Sequence, residues 1–197
     1  MAALTALRAV RDDGRVAPGS RVLVNGAAGG VGTFAVQLAK ALGAEVTGVC
    51  GTRNLDLVRS LGADDVVDYT RADFTERAGR CDVLVDIAGN HPLARLRRAL
   101  APRGTLVLVG GIAAGGGRLL GPVAQQLRAV AAGPFTGRRV AVVRWTPDGA
   151  DLRHLAGLLE AGRIAPVIDR TYPFAELPDA VRHVEGRHAR GKVVVSL

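Results

Sequence analysis

The residues best placed to do chemistry in this chain are four glycines and the residues between them. From Arg21 to Gly51 it reads RVLVNGAAGGVGTFAVQLAKALGAEVTGVCG. An apolar, β-rich run (Val22, Leu23, Val24) enters a loop holding Gly26, Gly29, Gly30 and Gly32, and a run with helical spacing follows: Val31, Phe34, Ala35, Leu38, Ala39, Leu42. Glycine is the residue type needed where a pyrophosphate must come close to a backbone and rest on the positive end of a helix, whose first N–H groups have no partner within the helix. Against GxGxxG the aligned run is Ala27, Ala28, Gly29, Gly30, Val31, Gly32, with Ala27 in place of the first glycine and Gly26 just before it. Such a loop can also be a tight turn without a ligand. The second strand, Glu45 to Cys50, supplies the context of a dinucleotide-binding βαβ unit, so Gly29, Gly30, Val31 and Gly32 are candidate cofactor contacts.

The end of that second strand bears on which dinucleotide. An NAD-specific unit places Asp or Glu there, to accept hydrogen bonds from the ribose 2′-OH. Here Cys50, Gly51, Thr52 and Arg53 follow one another without a carboxylate. A hydroxyl (Thr52) and a guanidinium (Arg53) suit a 2′-phosphate, which favours NADP(H) over NAD(H); the alternative for Arg53 is plain surface solvation.

Other chemistries find no support. Cys50 and Cys81 form no CxxC pair and sit beside apolar strands, as buried structural thiols do. His91, His154, His183 and His188 lack HxxxH or HExxH spacing, so no metal site and no metal cofactor follow. There is no YxxxK pair and no Ser/His/Asp arrangement, so no catalytic residue is assigned. Asp86, at the end of a strand, reads as a turn residue.

These residues need a sheet to hold them, and the chain has the means to build one. Its 197 residues, 48% hydrophobic, suffice for a core. Strand and helix alternate: a lead-in helix through Leu4 to Val10; a strand Asp65 to Tyr69 leading into a polar connection; a strand Val83 to Ile87 ending at Ala88, Gly89 and Asn90; a helix Leu93 to Leu100; a turn Pro102 to Gly104 into a strand Thr105 to Val109. Beyond a Gly/Ala-rich loop (Gly110 to Gly117) come a helix over Leu119 to Ala132, a sixth strand Arg139 to Trp145, helices Asp151 to Ala161 and Pro178 to Glu185, and a last strand Lys192 to Leu197. The pattern predicts an α/β fold: a doubly wound, parallel, six-stranded Rossmann sheet over 1–165 with its lead-in helix, and a short C-terminal extension over 166–197. Ligands bind at the carboxyl ends of such strands, so Ala88 and Gly89, with Val109, Gly110 and Gly111, are expected to flank the nicotinamide and its ribose.

The net charge of +8 raises nucleic acid as a partner, but 24 of the 26 basic residues are arginines spread along the chain, and 4% aromatic content leaves few stacking platforms. No apolar run reaches the roughly 18 residues of a membrane span, and the N-terminus lacks a secretory pattern. The expectation is a cytoplasmic protein that binds neither nucleic acid nor membrane. An apolar edge strand, Val140 to Val143 and Trp145, tends to pair with another chain.

Several runs together carry a resemblance: NGAAGGVGTFAVQLAKALGAEVTGVCGTRN, SLGADDVVDYT, CDVLVDIAGN, LAPRGTLVLVGG, and APVIDRTYPFAELPDAVRHVEGRHARGKVVV. In this order they resemble the medium-chain dehydrogenase/reductase superfamily, in its quinone oxidoreductase-like branch, over essentially the whole chain. The resemblance implies an NADPH-dependent oxidoreductase that transfers hydride to quinones, enones or other carbonyl compounds, here as its cofactor-binding portion without the N-terminal GroES-like catalytic domain. It also implies that Lys40 and Tyr69 reach the 2′-phosphate, that 166–197 packs toward the catalytic domain, and that the strand Arg139 to Trp145 forms a homodimer. The alternative is a non-catalytic dinucleotide-binding module that needs a separate catalytic domain.

Overall fold

Val22 and Val24 face one side of the first strand and Leu23 the other, because successive side chains of a strand alternate, and all three are buried. The same holds for Val83, Leu84 and Val85, and for Leu106 and Val107. A sheet apolar on both faces must be covered on both, and it is. The computed structural model describes residues 1–77, 80–109, 138–143, 148–186 and 189–197. Among these, six parallel strands, β1 (Arg21–Asn25), β2 (Glu45–Cys50), β3 (Asp65–Asp68), β4 (Cys81–Asp86), β5 (Leu100–Leu108) and β6 (Arg139–Val142), form one sheet in the order β3-β2-β1-β4-β5-β6.

On one face α1 (Ala2–Leu7), continued by a π-helical turn Arg8–Asp13, packs with α2 (Gly32–Ala41) over Val22, Val24, Val83, Val85 and Val107. On the other, Phe74 of the short helix α4 (Phe74–Arg77) and Leu96 of α5 (Leu93–Ala99) cover Leu23, Leu84 and Leu106. Helix α3 (Leu55–Ser60) adds Val58 to the first face, and α6 (Gly149–Glu160), capped at its start by Asp148, adds Leu155. Arg8 and Arg11 both pair with Asp151 of α6, at 3.3 and 2.7 Å. The α/β, doubly wound six-stranded sheet is as the sequence reading has it.

The differences are local. The polar connection after Tyr69 contains α4, whose single turn is too short to show periodicity; Phe74 inside it is fully buried. Strand β5 begins at Leu100 and runs through Pro102 to Gly104, where a turn was expected, with a register irregularity opposite Cys81 and Val83. The C-terminal extension is a two-stranded parallel sheet: β7 (Ile168–Pro173), unseen in the sequence, pairs with β8 (Lys192–Ser196), and α7 (Leu177–Glu185) lies between them in the chain. The Gly110 to Gly117 loop, the Leu119 to Ala132 helix and Trp145 lie outside the described residues.

Candidate cofactor cleft

The carboxyl ends of β1, β2 and β4 open onto a cavity of about 370 Å³. Asn25, Gly26, Ala28 and Gly29 form its floor, Cys50, Gly51, Arg53 and Asn54 one wall, Ile87, Ala88 and Asn90 the other, with Tyr69 and Ala189 at its margins. This is the place where an open α/β sheet binds ligands.

The floor is shaped by the turn out of β1. The N–H groups of Gly26 and Ala27 both donate to the Val49 carbonyl, at 3.2 and 3.0 Å, and Gly29 N–H to the Gly26 carbonyl at 3.2 Å. A Cβ on Gly32 would collide with the Gly26 carbonyl oxygen and the Ala27 backbone, so glycine there is what lets α2 start against the loop. α2 starts three residues beyond Gly29 of the floor, and the start of a helix favours an anion. Of Gly29, Gly30, Val31 and Gly32, Gly29 lines the cavity and the next three lead from it into α2.

Beside them stands a cation that the sequence reading missed. A Cβ on Gly30 would lie 2.5 Å from Lys192 Nζ, so the ammonium sits directly over the glycine loop. Gly191 N–H donates to the Ala28 carbonyl at 2.9 Å, and Arg190 Nη2 donates to the Arg53 carbonyl at 2.9 Å. Arg190 and Lys192 therefore approach the cleft from the far end of the chain. The one available signal was compositional: Lys40 and Lys192 are the two lysines in a chain with 24 arginines.

On the β2 wall, Arg53 lines the cavity and the exposed Tyr69 ring leans over Gly51, whose Cβ would meet the phenol oxygen at 3.1 Å. Two residues named for this site do other work. Lys40 lies at the opposite end of α2, where its ammonium donates to Asp64 at 2.8 Å and to the Ala44 carbonyl at 3.0 Å. Asp64 and Ala44 precede β3 and β2, so Lys40 belongs to the amino-terminal edge of the sheet and is not brought to the cleft. The Thr52 hydroxyl donates to Asp68 at 2.6 Å and is 3.0 Å from Thr70 Oγ1. Its proton is committed to that carboxylate, which the Thr52 hydrogen bond holds below the usual range. Asn54 Oδ1, by contrast, is buried on the cavity wall without a hydrogen-bond partner.

The β4 wall is fixed by Asn25. Its Nδ2 donates to Asp86 Oδ1 at 2.8 Å and to Asn90 Oδ1 at 2.9 Å, while Gly89 N–H donates to Asp86 at 3.1 Å. Burial pushes the Asp86 carboxyl up, against the pull of these donors. Asp86 is thus more than a turn residue: it ties the ends of β1 and β4. Ala88 lines the cavity, Gly89 is in the left-handed region (φ 61°), and Val109 N–H donates to the Asp86 carbonyl at 2.9 Å. Gly110 and Gly111 lie outside the described residues.

Burial raises the Cys50 thiol to about 11 and the Cys81 thiol to about 12, as inert structural thiols. Among the described residues no group of three or more His, Cys, Asp or Glu could hold a metal ion, and no helix is long and apolar enough to cross a membrane.

Comparison with known proteins matches residues 61–195 to the zinc-binding dehydrogenase family. The mitochondrial NAD(P)H oxidoreductase RTN4IP1 of Mus musculus is 37% identical over 212 aligned residues, covering 99% of this chain and 53% of the relative. The chloroplast envelope quinone oxidoreductase homolog of Arabidopsis thaliana is 32% identical, covering 99% of this chain and 59% of the relative. Among solved structures, the quinone oxidoreductase from Coxiella burnetii superposes with a TM-score of 0.86 at 27% identity, over 100% of this chain and 58% of that one. The chain spans about half the length of the curated relatives it matches. The cytoplasmic expectation is corrected by these relatives, which are mitochondrial or chloroplast proteins by name. The family's description names zinc, but the described residues supply no ligand set for it.

Proposed function

The chain belongs to the zinc-binding dehydrogenase family, among the quinone oxidoreductase-like medium-chain enzymes, and from its cleft we propose that it is the NADP(H)-binding portion of an oxidoreductase acting on quinones, enones or other activated carbonyl compounds. The observation that carries this reading is the set of cations around one glycine cradle: Lys192 over Gly30 and, beyond the end of β2, Arg53 beside Arg190, where Gly51, Thr52 and Arg53 follow Cys50 without a carboxylate among them.

In this reading the described residues divide among the parts of a dinucleotide. The α2 N-terminus and Lys192 hold the pyrophosphate, Arg53 and Arg190 the 2′-phosphate, and the Tyr69 ring closes the outer wall. The orphaned Asn54 Oδ1 is an acceptor for a ribose hydroxyl. Asn25, locked by Asp86 and Asn90, fixes the wall that leads past Ala88 to Val109, where the nicotinamide end belongs. When bound, a reduced nicotinamide supplies the hydride. The chain's part is to orient it and exclude water, and positioning of this kind carries much of the rate.

The second wall of a substrate pocket is proposed to come from a GroES-like domain. Segment 166–197 supports that view with an apolar face, Phe174, Leu177, Val181 and Val184, that stands exposed. Strand β6, whose outer edge pairs with no other strand among the described residues, is proposed as the homodimer contact.

The test is a titration with NADPH and NADH, followed by nicotinamide fluorescence, for the wild-type chain and Arg53→Ala. Arg53→Ala is expected to weaken NADPH by about tenfold, the scale of one charge-assisted contact, and NADH much less. Equal losses for both dinucleotides would overturn the 2′-phosphate assignment. Adding a quinone then separates a half that turns over from a cofactor module that needs its catalytic domain.

A further inference from the structure

The backbone from Ala189 to Lys192 crosses the mouth of the cleft as a strap. It is tied to one wall by Arg190 Nη2 on the Arg53 carbonyl, and to the floor by Gly191 N–H on the Ala28 carbonyl. Lys192 N–H donates to the Val167 carbonyl at 2.8 Å and so leads into β8. Gly191 has φ 72°, and a Cβ there would run into the Val167 carbonyl.

What anchors the strap from behind is a side-chain pair outside the cleft. Asp169 of β7 faces His183 of α7, with Nε2 2.7 Å from Oδ2, both partly buried. Asp169 follows Ile168, which pairs with Lys192 in the β7–β8 register, and stands two residues beyond Val167, whose carbonyl takes the Lys192 N–H. Burial acts to raise the Asp169 carboxyl, but the hydrogen bond with His183 and its charge work against this, and the group is held below the usual range. The neighbouring ring is Tyr172, 6.2 Å from His183 between centroids, with the Arg170 guanidinium over it. Helix α7 has little else to hold it: Ala180 is its buried residue, while Leu177, Val181 and Val184 are exposed.

We infer that His183 and Asp169 are positioning residues for the cofactor. Through Asp169 they order the strap, and so hold Arg190 and Lys192 over the phosphate-binding side of the cleft before a dinucleotide arrives. A segment already ordered in the free protein need not be ordered on binding, and affinity gains by that difference. The inference rests on the cofactor reading above.

The experiment uses the full chain and three variants. His183→Phe keeps a ring of similar bulk and removes the donor, His183→Gln keeps a donor, and Asp169→Asn keeps the side chain's shape but removes the carboxylate charge that faces His183. Amide hydrogen exchange at Gly191 and Lys192 is read without ligand, and NADPH affinity by titration.

H183F is expected to speed exchange at these two amides by about tenfold and to weaken NADPH by about tenfold, while H183Q recovers most of both. D169N is expected to weaken NADPH by about threefold or more, and it decides the matter if H183F does not fold. Unchanged NADPH affinity in H183F or D169N would overturn the inference, whatever the exchange rates do, and so would an H183Q as impaired as H183F. A wild-type chain that binds neither dinucleotide would overturn the cofactor reading and this inference with it; wild-type binding with H183F unchanged overturns this inference alone.

Discussion

Helices α2 and α7 are close in length, 10 and 9 residues, and they sit in opposite circumstances. α2 is buried from Gly32 through Ala39, pressed between the sheet and α1. Its one long polar side chain there, Gln37, is satisfied: Nε2 donates to the Thr33 and Ala165 carbonyls, and Oε1 accepts from Ala165 N–H. α7 buries Ala180 and turns Leu177, Val181 and Val184 outward. The strands divide likewise. β1 and β4 are buried almost throughout, while Tyr172 is the buried residue of β7 and β8 has none. One region is closed by its own side chains. The other is joined to it by polar ties, Gly191 to Ala28, Arg190 to Arg53 and Ala165 to Gln37, and keeps an apolar face outward. The apolar side chains of the first are closed in its own core, whereas those of the second stand exposed.

The sharpest way to break this contrast is to cut equivalent apolar side chains in the two regions. Leu84→Ala, at a fully buried position of β4, is expected to cost roughly 2–5 kcal/mol. Leu177→Ala, on the exposed face of α7, should stay within about 0.5 kcal/mol. Chemical denaturation of both measures the gap; similar losses would mean that the extension is as tightly packed as the sheet. Next in size is Gly32→Ala, which drives a methyl into the Gly26 carbonyl and the Ala27 backbone. A loss of about 1–3 kcal/mol is expected, with dinucleotide binding abolished in the same titration, because the loop and the helix start would have to part.

The Asp151 ties test the closed region through pH. Hydrogen bonding from Arg11, first of all, holds the Asp151 carboxyl below the usual range, with Arg8 adding to it. A carboxylate whose folded value is lowered contributes stability above its unfolded value, and that contribution disappears as pH falls through the folded one. Asp151→Asn should therefore be less stable than wild type at neutral pH, and the two should converge under acid conditions. Thermal melts across pH 2 to 7 would show it; a gap that stays constant with pH would remove the charge from the account.

Sequence reading reached what is local. The Val22 to Val24 run, the glycine loop and the helix after it lie within one short stretch, and the strand alternation fixed which faces are buried. What it missed depends on residues distant along the chain. Lys40 looked like a phosphate ligand because its partner, Asp64, belongs to a different connection, and Thr52 did because Asp68 stands at the end of another strand. Lys192 and Arg190 went unread since nothing in RHARGKVVV says that it returns to the loop after β1. Strand β7 was hidden by Asp169, Arg170 and Pro173, which give it no apolar alternation.

The smallest expected effect on stability is also the most discriminating for the site, since it sets two glycines of one loop against each other. At Gly30, as at Gly32, an added Cβ has no free space, but its nearest neighbour is the tip of Lys192, with the Gly191 carbonyl next at 3.0 Å. A lysine tip can swing aside where a backbone carbonyl cannot. Gly30→Ala should therefore cost less than about 0.5 kcal/mol and leave the melting temperature nearly unchanged. Its effect belongs to binding: with the ammonium displaced from the loop and a methyl in the cradle, affinity for NADPH and NADH should fall together, by about tenfold or more, because the pyrophosphate is common to both. Arg53→Ala, by contrast, is expected to separate the two dinucleotides. A Gly30→Ala chain that binds NADH normally would place the pyrophosphate elsewhere, and one that unfolds would show that Lys192 is held more tightly than a surface lysine and is part of what joins the extension to the sheet.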